Sequence, residues 1–77
     1  MTFYDYMMQN YLNTNSPSGD LANDMQTDFD NFPRNKLNSL KTWHTKIRKY
    51  LENHSACDAC LRVFEECWKE YEKSINV

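Results

Sequence analysis

Apolar residues recur at helical spacing along four stretches of this chain, with polar breaks between them. Phe3, Met7 and Tyr11 stand at i, i+4 and i+8, and Tyr4, Met8 and Leu12 form a second row beside them. This predicts a first helix from about Phe3 to Leu12, buried around most of its surface. Thr2 is placed to cap it. Asn13 to Ser16 reads as a polar turn, and Ser16-Pro17 then pairs an oxygen acceptor with a proline, a helix start. Leu21, Met25 and Phe29 give the second helix its apolar row. It is expected to end near Asp30, because Pro33 disfavours helical dihedrals at Phe32. A connector anchored by Phe32 leads to a third helix, capped by Asn38 or Ser39 and running to about Asn53. Its stripe is Leu40, Trp43, Ile47, Tyr50 and Leu51. Ser55-Ala56-Cys57-Asp58 reads as a capping box. Leu61, Phe64, Trp68, Tyr71 and Ile75 carry a fourth helix to the end.

The chain has 77 residues, one glycine and two prolines. That composition favours helix over sheet, and the length suits one domain over residues 1–77. The expected fold is all-α, a single compact bundle of four to five helices; the fifth would be a short turn in the connector. The expected core is Phe3, Met7, Tyr11, Leu21, Met25, Phe29, Phe32, Leu40, Trp43, Ile47, Leu51, Leu61, Phe64, Trp68 and Tyr71. A domain this small buries only about 60% of its unfolded surface, so its stability margin is narrow. No apolar run has the length of a secretion signal or of a membrane span. Three cysteines, an odd number, argue against a disulfide scaffold. The chain is expected to be cytoplasmic and reduced.

Charge changes the picture more than composition does. Residues 1–33 hold five carboxylates and no lysine or arginine, and residues 34–49 hold six cations and no acid. The remainder is again net negative, so a near-neutral total of −2 hides an acidic, a basic and an acidic block. Asp20, Asp24 and Asp28 form one row on the second helix. Lys41, Lys46, Arg48 and Lys49 fall opposite the apolar stripe of the third, with Arg34 and Lys36 preceding them. Like charges at i, i+4 repel. The basic face, in this molecule or the next, is the obvious compensation for the acidic row.

Several motifs in order resemble a known family. Phe3-Tyr4-Asp5-Tyr6-Met7-Met8, Leu21-Ala22-Asn23, Phe32-Pro33-Arg34, Tyr50-Leu51-Glu52 and Phe64-Glu65-Glu66-Cys67-Trp68 with Tyr71 behind together resemble the YozE-like family of small Gram-positive bacterial proteins. The resemblance covers about residues 2–72 and implies a bundle like the sterile alpha motif (SAM) fold. It implies no activity. The family tends to be acidic along the third helix and basic at its start, the reverse of this chain, so the charge blocks are this protein's own.

Candidate chemistry is sparse. His54-x-x-Cys57-x-x-Cys60 is the sharpest motif. Cys57 in a first helical turn meets free N–H groups that could lower its pKa. On a helical wheel, however, Cys57, Cys60 and Cys67 all fall within the apolar stripe. Packing is therefore the first reading, thiol redox chemistry the second and metal binding the third, since a fourth zinc ligand is missing. His44 reads as a boundary residue beside Trp43. There is no nucleophile–base spacing and no glycine loop for phosphate. The expectation is a non-catalytic protein without cofactor, metal, small-molecule substrate or membrane. It would bind an unidentified protein or itself through Asp20, Asp24 and Asp28 on one side and Arg34, Lys36, Lys41, Lys46, Arg48 and Lys49 on the other. The alternative is a nucleic-acid-binding accessory protein that uses the basic segment 34–49. The third is a thiol-redox or metal protein at Cys57 and Cys60.

Overall fold

The first two helix starts are set by side-chain oxygens. In the computed structural model, which describes residues 1–28, 30–54 and 56–75, Thr2 accepts from the Asp5 N–H and Asp5 reaches back to the Thr2 N–H. This is a reciprocal capping box. It starts α1, Phe3–Asn10. Ser16 accepts from the Gly19 N–H, and Pro17 opens α2, Pro17–Thr27. α3, Leu40–Asn53, begins differently: Ser39 stands at its N-cap in the left-handed region (φ 58°) and makes no side-chain cap. α4 is Asp58–Ile75, and the Cys57 carbonyl accepts its first intrahelical bond, from Leu61. The expected roles of Phe29 in the core and Ser55 as a cap fall outside the described residues.

Two helices stop earlier than expected. α1 ends at Asn10 because Tyr11 leaves the helical region and Asn13 turns left-handed at φ 66°, a conformation that Asn tolerates better than most residues. α2 ends at Thr27, and the Asp28 carbonyl then accepts from both Asn31 and Phe32 in a tight turn. Between these helices a close approach makes Gly19 necessary, since a Cβ there would collide with the Thr14 carbonyl and hydroxyl.

Among the described residues the four helices enclose one apolar cluster. α4 is the central element: α1, α2 and α3 all pack on it, and α1 also packs on α2. The radius of gyration is 11.4 Å, against about 11.5 Å expected of a globule of this length. Phe3, Met7, Leu21, Met25, Phe32, Ile47, Leu51, Leu61, Phe64, Trp68 and Tyr71 are buried as expected. Tyr11, Leu40 and Trp43 only pack against the cluster's edge, while Tyr4, Ala22 and Cys67 belong to it. Phe3 meets Phe64, Trp68 and Tyr71 at ring-centroid distances of 5.4, 5.2 and 5.7 Å, in the range where tilted aromatic pairs attract.

Among the described residues one polar side chain, Asn35, is buried in this core. It lies in the connector and is 4% exposed. Its Oδ1 accepts from the Phe3 N–H at 2.7 Å, and its Nδ2 donates to the Lys36 carbonyl and to the Tyr71 hydroxyl at 2.9 Å each. Tyr71 in turn donates to the Met1 carbonyl at 2.7 Å. The network ties the N-terminus, the connector and α4 together. The Trp68 Nε1 is buried without a partner, which costs about 1–3 kcal/mol.

Candidate functional site

The charged residues divide into those already engaged and those facing outward. Arg34 lies 3.7 Å from the Tyr4 ring centre and donates to the Phe32 carbonyl at 2.8 Å. Lys46 Nζ sits 4.6 Å from the Trp43 ring centre, within cation–π range. Arg48 pairs with Glu65 at 3.1 Å and Glu52 at 3.6 Å. Asp28 is half-buried and accepts a hydrogen bond from the Tyr50 hydroxyl. Lys36, Lys41 and Lys49 are exposed, and so are Asp20 and Asp24. No ion pair among the described residues joins the acidic row to the basic block. The reason is architectural: α2 packs on α1 and α4, α3 packs on α4, and α2 and α3 do not pack on each other. The acidic row is therefore not neutralised within the molecule by α3.

Glu65 is the functional neighbour that sequence reasoning missed. It stands on α4 at the seam with α3, 2.7 Å from His44 Nε2 and 3.1 Å from Arg48. His44, expected only as a boundary residue, is half-buried and stacks on Phe64 with ring centres 5.4 Å apart. The Arg48–Glu52 pair was legible as i, i+4; the 17-residue separation of Arg48 and Glu65 leaves no local signal. A second carboxylate acts across the fold in the same way. Glu70 accepts from the Tyr6 hydroxyl at 3.4 Å and from Tyr11. The Tyr11 phenol is pushed well above its ordinary range, first by its hydrogen bond to Glu70 and then by burial.

A groove of about 300 Å³ opens where the C-terminal ends of α2 and α3 meet the start of α4. Its apolar walls include Leu21, Met25 and Leu51, and its rim carries Asp24, Asp28, His54, Cys57 and Cys60. The structure corrects the first reading of the cysteines. Cys57 is exposed, Cys60 is half-buried and Cys67 alone is buried. The wheel placed Cys57 on the stripe as though it were helical, whereas it precedes α4. Its thiol is lowered from the ordinary value, first by the Cys60 backbone N–H, then by the Ala59 N–H and the Cys60 thiol, with burial opposing. The Cys60 thiol is raised, chiefly by burial, then by Cys57, Asp24 and Asp20.

His54 donates from Nδ1 to the Tyr50 carbonyl at 2.8 Å, because that carbonyl can only accept, and it stacks on the Tyr50 ring. Among the described residues no three His, Cys, Asp or Glu side chains are arranged to hold a metal ion. None of the described helices is long and apolar enough to cross a membrane.

The family model described as the YozE SAM-like fold matches residues 2–73, so the chain belongs to that family. Its helical architecture agrees with that description. No curated protein and no solved structure matches the chain.

Proposed function

We propose that this member of the YozE SAM-like family is a non-catalytic protein-interaction module. It docks through the acidic face of α2 and the basic face of α3 onto oppositely charged protein surfaces. One observation carries the reading. Asp20 and Asp24 on one side, and Lys36, Lys41 and Lys49 on the other, point outward without an ion pair between the two sets among the described residues. Each face is thereby left for another molecule. In the simplest form that molecule is a second copy, with α2 of one meeting α3 of the next. Such a head-to-tail contact is heterologous and grows into open chains. Complementary charge of this kind speeds encounter and selects partners more than it adds affinity, and salt screens it.

Sedimentation velocity at low and high salt tests the self-associating form. Wild type is expected to associate at low salt and to dissociate as salt rises. The Asp20→Lys/Asp24→Lys variant and the Lys41→Glu/Lys49→Glu variant are each expected to be monomeric. Mixed in equal amounts they are expected to associate again, because each variant meets oppositely charged faces on the other. Wild type that stays monomeric at every concentration and salt would end the head-to-tail form.

Exposed lysines without an ion pair among the described residues are also what a phosphate backbone would contact, and this favours the nucleic-acid reading as the competitor. An acidic α2 and a net charge of −2 oppose long-range attraction to nucleic acid. Fluorescence anisotropy with labelled single- and double-stranded DNA and RNA decides between them. No binding at low salt is the expected result. Binding that falls steeply with salt and disappears in the Lys41→Glu/Lys49→Glu variant would replace the protein-binding reading.

A further inference from the structure

We propose that Cys57 and Cys60 form a redox-active dithiol that exchanges with low-molecular-weight disulfides and closes to an intramolecular disulfide. The site adjoins the acidic face of α2, since Asp24 lines the same groove, but it uses different residues from the docking reading. It stands on geometry at the start of α4. Cys57 is exposed just before the helix and Cys60 lies half-buried in its first turn, at Asp58–Cys60. Cys57 and Cys60 stand three residues apart in the chain and line the same groove. The backbone N–H groups of Cys60 and then Ala59 lower the Cys57 thiol from its ordinary value. These are the donors a helix start leaves unpaired, and they stabilise a thiolate there. The pair therefore has a division of labour. Cys57 is accessible and its thiol is lowered from the ordinary value; Cys60 is half-buried and its thiol is raised, first by burial, then by Cys57 and the Asp24 and Asp20 carboxylates.

Ring closure fits the local backbone. In a regular helix, Cβ atoms three residues apart are about 5–6 Å from each other, and a disulfide needs about 3.5–4.5 Å. Cys57 is not helical, so rotation of its own backbone closes the gap without deforming α4. Both cysteines line the groove of about 300 Å³, whose apolar walls offer room for one arm of an incoming disulfide.

The exchange balances in two steps. The Cys57 thiolate attacks one sulfur of the disulfide R–S–S–R; a Cys57–S–S–R bond forms, the old S–S bond breaks, and RS⁻ leaves and takes a proton from water. Cys60 then loses its proton to solvent and attacks the Cys57 sulfur; the Cys57–Cys60 bond forms and a second RS⁻ leaves. The protein dithiol has given two electrons, and one disulfide has become two thiols. Cys67 takes no part, being 1% exposed and hydrogen-bonded to Ser18 at 3.3 Å.

The test uses the full chain, reduced and then exposed to oxidised glutathione, quenched in acid and read by intact mass and iodoacetamide labelling. Wild type is expected to keep a single alkylatable thiol after unfolding, to carry no lasting adduct, and to be lighter by two hydrogens. Cys60→Ser is expected to accumulate a stable glutathione adduct at Cys57, and Cys57→Ser to remain unmodified. A wild-type adduct as stable as that of Cys60→Ser would overturn the proposal. As a second readout, the rate at which iodoacetamide alkylates Cys57 is followed against pH in a Cys60→Ser/Cys67→Ala variant, folded and in urea. The folded profile is expected to rise at lower pH. A profile at or above that of the unfolded chain would equally overturn it.

Discussion

The two ends of α4 use similar residues to opposite effect. Toward its C-terminal half, Phe64, Cys67, Trp68 and Tyr71 are 0–2% exposed, and Phe3 of α1 lies across three of their rings. Toward its start, Leu61 is 8% exposed, Cys60 is half-buried and Cys57 is open to solvent. What differs is the cover. The C-terminal half is overlain by the length of α1 and by the connector, through Asn35. The start borders the groove that opens where the C-terminal ends of α2 and α3 meet it. An apolar position on a helix is a core position only where another element lies along it. A thiol therefore behaves as a small hydrophobe at Cys67 and as an accessible nucleophile at Cys57.

The comparison breaks most visibly at Trp68. Trp68→Ala removes the largest side chain of the well-covered half and is expected to cost about 3–5 kcal/mol, as large-to-small core changes do. For a domain of this size that approaches the whole of its stability. Urea denaturation followed by circular dichroism checks it, and a cooperatively folded variant of near-native stability would show that the two halves are not held differently. The next effect lies at Asn35. Asn35→Ala leaves the buried Phe3 N–H without its acceptor and the Tyr71 hydroxyl without one of its partners. A loss of about 2–3 kcal/mol in the same experiment is expected, since a buried group stripped of its partner costs about 1–3 kcal/mol.

How much of this was legible follows from where the signal sits. The stripes of α3 and α4, the Thr2 cap and the Ser16-Pro17 start are local patterns, and each recurs in the fold as read. Asn35 was missed because one amide in a polar connector gives no periodicity; only the fold brings it to Phe3 and Tyr71, 32 and 36 residues away. The end of α1 was read too long because apolar spacing continues through Leu12 while the backbone has already turned, and α2 was carried to Asp30 on the Pro33 signal although it is capped at Asp28. Of the candidate binding residues, the sequence identified the charges but not their occupancy. Arg48 is taken by Glu65, Asp28 by Tyr50 and Arg34 by Tyr4, and each partner lies at least 17 residues away in the chain.

The finest division is between the cysteines themselves. Cys67→Ser puts a hydroxyl where a buried thiol packs. Burying a hydroxyl costs about 1–3 kcal/mol in protein interiors, and Ser18, already the hydrogen-bond partner at 3.3 Å, offsets part of this and holds the loss toward the low end. Cys57→Ser makes the same chemical change at an exposed position before α4. It should shift stability by no more than about 0.5 kcal/mol, as surface changes do. Serine there also keeps an oxygen able to accept from the same helix-start N–H groups. Paired urea curves for the two variants isolate cover from chemistry, because the substitution is identical and only the environment differs. Equal losses would mean that Cys57 is covered in solution, and the groove at the start of α4 would then be closed. A loss at Cys67 alone would confirm that cover is lost between Cys67 in α4 and Cys57 just before it, ten residues apart.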